Sequence, residues 1–97
     1  MKISILLPYK DNYTKNHAGA VSIFVNSVNR YSKFKSYINV YGNTEFKNIL
    51  SKNYTNIPYE KKLFQSSSKT YVKNFIDLEK KRNSDIIEIH NLSLIHI

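Results

Sequence analysis

Ninety-seven residues leave room for one small domain. A hydrophobic share of 41% with 13% aromatics allows a packed core and argues against wholesale disorder, while two Gly and two Pro argue against a turn-rich all-β sandwich. The net charge is +8, yet only Arg30 and Arg82 carry the guanidinium fork that base readout favours, so the excess reads as a generally positive surface with no dedicated nucleic-acid face.

The absence of cysteine removes any disulfide framework or thiolate metal site and fits a reducing compartment. His17, His90 and His96 have no metal-ligand spacing, so no metal is expected. The first apolar run ends at Pro8, too soon for a secretory signal or a membrane span.

Residues 2–7 read as a strand, apolar from Ile3 to Leu7 apart from Ser4, of the kind covered on both faces and closed by Pro8. Residues 8–17 make a polar loop longer than a usual strand-to-helix connection, with Lys10 and Asp11 expected in solvent. Ala18-Gly19-Ala20 opens a helix over 18–31. Its expected inner stripe is Ala20, Val21, Phe24, Val25, Val28 and Tyr31, with Asn26, Ser27, Asn29 and Arg30 outside. A second strand over 37–41 ends at Gly42, where a positive φ would cost nothing. Residues 44–52 suggest a short helix or turn with Phe46, Ile49 and Leu50 inward, and 54–59, containing Pro58, a third strand at a sheet edge.

Ser66-Ser67-Ser68 supplies capping hydroxyls for a second helix over 69–81, striped by Tyr71, Val72, Phe75, Ile76 and Leu78. Residues 79–82 read as its solvated end, and 85–90 as a fourth strand. The order β-α-β-(short α)-β-α-β predicts a Rossmann-like α/β domain with a mainly parallel sheet and right-handed crossovers.

In such sheets ligands bind beyond the carboxyl ends of the strands, where strand order reverses. Two stretches fall on that edge: the loop leading to Gly19 and Ala20, and His90-Asn91. Gly19 could bring a backbone N–H cradle to a diphosphate at the helix N-terminus, or could simply let the helix sit close to the sheet. There is no G-x-G-x-x-G and no Walker A pattern to decide between them. His90 could bond a substrate hydroxyl or a developing charge, or only a neighbouring carbonyl. Glu88, two residues earlier, points to the same face and could pair with it, or face a helix or solvent. A phospho-receiver domain is excluded, because Pro8-Tyr9-Lys10 and Ile57-Pro58-Tyr59 lack its carboxylates.

Four segments in order, 2–8, 19–25, 40–42 and above all Ser84-Asp85-Ile86-Ile87-Glu88-Ile89-His90-Asn91, resemble the start of a bacterial family 4 type glycosyltransferase of the GT-B fold. The resemblance spans residues 1–91 and is closest to enzymes that build lipopolysaccharide or other surface polysaccharides. It implies that 1–91 is part of an N-terminal, acceptor-side Rossmann-like domain, with a nucleotide-sugar as donor substrate and no other cofactor. It implies contact of Gly19 and Ala20 with the donor phosphate or acceptor, and of His90 and Asn91 with the transferred sugar or acceptor. The implied partners are a saccharide or lipid-linked acceptor and a C-terminal donor domain of the same protein, without nucleic acid. Action in the cytoplasm is implied, with peripheral association at the inner face of the membrane allowed.

Two departures stand out: one glycine where the family has a pair, and residues 92–97, which look foreign to the pattern and read as a truncated or non-native tail. The fragment alone is expected to be inactive. The alternative is a stand-alone α/β ligand-binding or interaction module without catalysis.

Overall fold

The computed structural model describes residues 1–9, 11–57 and 67–90, with the backbone alone for 67–69. Lys10, Pro58, Ser66, Asn91 and the tail 92–97 lie outside the described residues. The elements are β1 (Ile3–Leu6), α1 (Ala20–Tyr31), a 3-10 turn (Lys35–Tyr37), β2 (Ile38–Gly42), β3 (Tyr54–Asn56), α2 (Ser67–Arg82) and β4 (Ile86–Ile89). The four strands form one parallel sheet in the order β3-β2-β1-β4. This is the α/β architecture that the alternation of strands and helices predicts.

β1 is central because its residues are apolar in both directions. Ile5 and Leu7 join Val40 of β2 and Val25 of α1 in one buried cluster. Leu6 joins Tyr41 of β2, Ile57, and Tyr71 and Phe75 of α2 in another. Since neighbouring strand residues point to opposite faces, the two helices lie on opposite sides of the sheet. Each fully buried Leu or Val contributes about 1.5–3 kcal/mol. Tyr71 adds a polar anchor, its hydroxyl donating to the Leu7 carbonyl at 2.5 Å.

Several expectations change. α1 is rotated relative to the predicted stripe: it buries Ser22, Val25 and Asn29, while Phe24, Val28 and Tyr31 are exposed. The reason is polar satisfaction on the inner face. The Asn29 and Asn53 amides bond each other reciprocally at 2.9 and 3.0 Å, and Asn53 also donates to the Ile38 carbonyl. A buried amide with partners on both its ends costs little, so an apolar count misplaces the face. α2 likewise turns Tyr71 and Phe75 inward and leaves Val72 and Ile76 exposed.

No helix forms over 44–52; that segment runs antiparallel to the long loop, through a Thr14–Ile49 bridge and a Lys15 N–H to Asn48 carbonyl bond. Neither described glycine has a positive φ. Gly42 is required for closeness: a Cβ there would lie 3.0 Å from both Leu7 Cδ1 and the Tyr54 hydroxyl.

The end of α2 is solvated at Lys80 and Lys81, whereas Glu79 and Arg82 turn inward into a polar knot. Glu79 is 8% exposed and accepts from the hydroxyls of Ser4 and Ser84 and from the Ser84 N–H. Arg82 donates through Nε to Ser4 and Ser84, and through Nη2 to the Ile3 and Tyr37 carbonyls at 3.0 Å each. Asn83 closes the helix at φ 55°, its N–H donating to the Glu79 carbonyl.

Two outcomes are expected. Glu79→Ala leaves the fully buried Ser4 hydroxyl short of its carboxylate partner, and urea unfolding should show a loss of about 1–3 kcal/mol. Burial raises the pKa of Tyr54 and Tyr71, and nearby negative charge at Tyr54 and Asp11 adds to the effect on Tyr71. These phenols stay neutral in the folded state while the unfolded chain ionises near the ordinary value of 10.0. Their contribution to stability is therefore constant below about pH 10 and falls as pH rises beyond it. Absorbance titration should show late-ionising tyrosines that appear only with unfolding, one fewer of them in Tyr71→Phe.

Candidate functional site

Strand order reverses between β1 and β4, because β2 and β3 lie on one side of β1 and β4 on the other. The carboxyl ends of β1 and β4 therefore flank the crevice where an α/β sheet of this kind takes a ligand. β4 continues into this edge through the His90 N–H, which donates to the Leu6 carbonyl at 3.0 Å.

Register fixes which side His90 serves. Ile5 pairs with Glu88, so Glu88 and His90 share the α1 face. There the His90 Nε2 lies 3.4 Å from a Glu88 carboxylate oxygen, and the Phe24 ring meets the imidazole edge-on at 6.3 Å. Glu88 is more than half exposed, so the pair adds little stability; its effect is to orient the ring. A half-buried imidazole held by a carboxylate can exchange a proton or a hydrogen bond with a ligand hydroxyl.

The other flank is the α1 N-terminus. Gly19 is its N-cap and offers no side chain of its own. Asp11 supplies one: its carboxylate accepts from the Ser22 N–H at 3.2 Å and from the Ser22 hydroxyl. The carboxylate lies so near that a Cβ on Gly19 would meet it at 2.5 Å. Gly19 thus leaves room for the close approach of an anion, and the anion present is Asp11, expected beforehand to be solvated. The helix dipole and the free N–H groups favour negative charge there. An exogenous phosphate would compete with Asp11 for the Ser22 N–H. Ala20, the first residue of α1, is exposed.

The structure brings His90 and the opening of α1 to one edge on one face, linked by Phe24. Asn91 falls outside the described residues. Sequence reasoning missed Asp11 and Ser22 as a pair. The available signal was a helix opening at Ala18-Gly19-Ala20 without a capping side chain, with the nearest preceding carboxylate at Asp11. Among the described residues no group of three His, Cys, Asp or Glu side chains could hold a metal ion, and no helix is long and apolar enough to cross a membrane.

Comparison with known proteins finds no matching family model, no matching curated protein and no matching solved structure.

The Asp11 cap predicts a non-additive pair of substitutions. Asp11→Ala should cost about 1 kcal/mol as a lost helix cap. Gly19→Ala displaces the carboxylate and should therefore be less favourable in the native background than in the Asp11→Ala background, where the extended backbone at this position accepts alanine without strain. Urea unfolding of the four proteins measures the coupling.

Proposed function

We propose that this chain is the acceptor-side, N-terminal part of a nucleotide-sugar-dependent glycosyltransferase acting on a surface polysaccharide or lipopolysaccharide acceptor. The observation that carries the reading is His90, oriented by Glu88, at the carboxyl edge of the switch between β1 and β4. The resemblance through Ser84–Asn91 converges on the same residue. In this reading His90 bonds a hydroxyl of the transferred sugar or the acceptor. The donor nucleotide is held chiefly by a second domain of the same protein. Gly19 and Ala20 approach the donor phosphate only if Asp11 yields the Ser22 N–H. Action at the cytoplasmic face of the membrane belongs to the same proposal.

The second reading, an interaction module without catalysis, draws on β4. Ile86 is 50% exposed, Ile87 47% and Ile89 59%, so both faces of this strand await cover. In the first reading the remainder of the enzyme covers them; in the second a separate partner does.

Amide NMR titration of the chain with nucleotide-sugars and with oligosaccharides tests the proposal. Saturable shifts at Phe24 and His90 in the millimolar range, lost in His90→Ala, are expected. Nucleotide release with sugar transfer by these residues alone, or tight nucleotide-sugar binding, overturns the assignment of an acceptor-side half. Shifts confined to other parts of the sheet overturn the site.

A further inference from the structure

The opposite edge of the sheet holds a hollow of about 610 Å³, within the range of small-molecule pockets. Because α1 runs back against the strands, its C-terminal half ends there, beside the start of β2 and the segment entering β3. α1 contributes Asn26, Asn29 and Arg30, the 3-10 turn Lys35, and the segment before β3 Ser51, Lys52 and Asn53.

The floor is rigid. Asn29 is 5% exposed, and its amide is locked to Asn53 and to the Ser51 hydroxyl. Ser51 in turn donates to the Asn53 oxygen at 2.6 Å and lies 2.9 Å from the hydroxyl of the buried Tyr13. The Asn26 oxygen lies 3.4 Å from the Tyr13 hydroxyl, and among the described residues its amide N–H groups have no protein partner. The rim is cationic: Arg30, Lys35 and Lys52 line the hollow, and among the described residues no Asp or Glu lines it and no carboxylate lies within ion-pair distance of the three. Arg30 rests against the Tyr31 ring at 5.7 Å, which leaves its guanidinium donors free.

Three cations around an unpaired amide and a fixed polar floor suit a compact dianion with a hydroxyl-bearing body. A polynucleotide would need a track of cations beyond the cup and aromatic faces for its bases. Among the described residues, no aromatic residue lines the hollow itself.

We propose that this cup binds a small phosphorylated molecule, its phosphate held by Lys35, Lys52 and Arg30 and its hydroxyl-bearing body bonded by Asn26 over the Asn29–Ser51–Asn53 floor. The site lies at the edge of the sheet away from His90, so it is independent of the glycosyltransferase reading and its failure leaves that reading untouched.

The test is amide NMR titration with glucose 6-phosphate, inorganic phosphate and a short single-stranded oligonucleotide, on the native chain and on the Lys35→Gln/Lys52→Gln double variant. Both lysines are exposed, so the fold is retained, and the variant's unperturbed spectrum away from the cup verifies it. Saturable shifts at Asn26, Arg30 and Asn53 with glucose 6-phosphate, weakened at least tenfold in the variant, are expected. Inorganic phosphate binding as tightly as the sugar phosphate overturns the role of Asn26 and the amide floor. Shifts spread over all lysine-bearing surfaces overturn the site, and tighter, salt-sensitive binding of the oligonucleotide reassigns it to nucleic acid.

Discussion

The hydroxyl of Ser4 is the point on which both halves of this chain close. It sits fully buried in the central strand, where a hydrophobic residue would be expected. Glu79 and Ser84 meet it from the end of α2 and the turn into β4, and Arg82 reaches past it to carbonyls at the starts of β1 and β2. One connected polar cluster therefore ties the last helix and last strand to the first two strands. The long-range pairing of β4 with β1, more than eighty residues apart in sequence, is held in register by that cluster as well as by its ladder. A buried network of this kind is costly if any member is missing and specific when all are present. Placement of His90 depends on it, because His90 stands at the far end of the strand that the knot anchors.

The strands and helices were legible because their apolar runs are long and their separations suit crossovers. The run through β1 and Leu7, with Ile5 and Leu7 on one face and Leu6 on the other, announces a central strand directly. What could not be read was which side of each helix faces inward. Phe24, Val28 and Tyr31 satisfy the periodicity rule as well as Val25 does, yet they stand in solvent while Asn29 is buried. The deciding partners, Ser51 and Asn53, are over twenty residues away and belong to a segment with no regular structure. The same blindness hid Glu79 and Arg82, whose charged side chains look solvated until Ser4 and Ser84 are brought beside them.

The exposed side of α1 has a simpler geometry than its composition suggests. Phe24 leans toward β4 and touches His90, and on the same face Ile86 is half exposed. On the other face Ile87 and Ile89 of β4 are open, as are Val72 and Ile76 of α2. One part of the exposed apolar surface thus lies about this edge strand, beside the crevice that contains His90. The two glycines have opposite assignments from those their torsional freedom would give. Gly42 makes room for Leu7 and Tyr54 inside the core, and Gly19 makes room for the Asp11 carboxylate at a helix end. The N-terminus of α1 therefore already has a carboxylate partner, and in the proposed function this shifts ligand contact toward the imidazole across the crevice.

That shift is tested most directly by following the ring resonances of His90 while an oligosaccharide and then a nucleotide-sugar are added. Saturable movement of the His90 ring is expected, with the His17 ring, stacked on Phe46 at 3.9 Å, unmoved. A ligand that binds while leaving the His90 ring unchanged would contradict it.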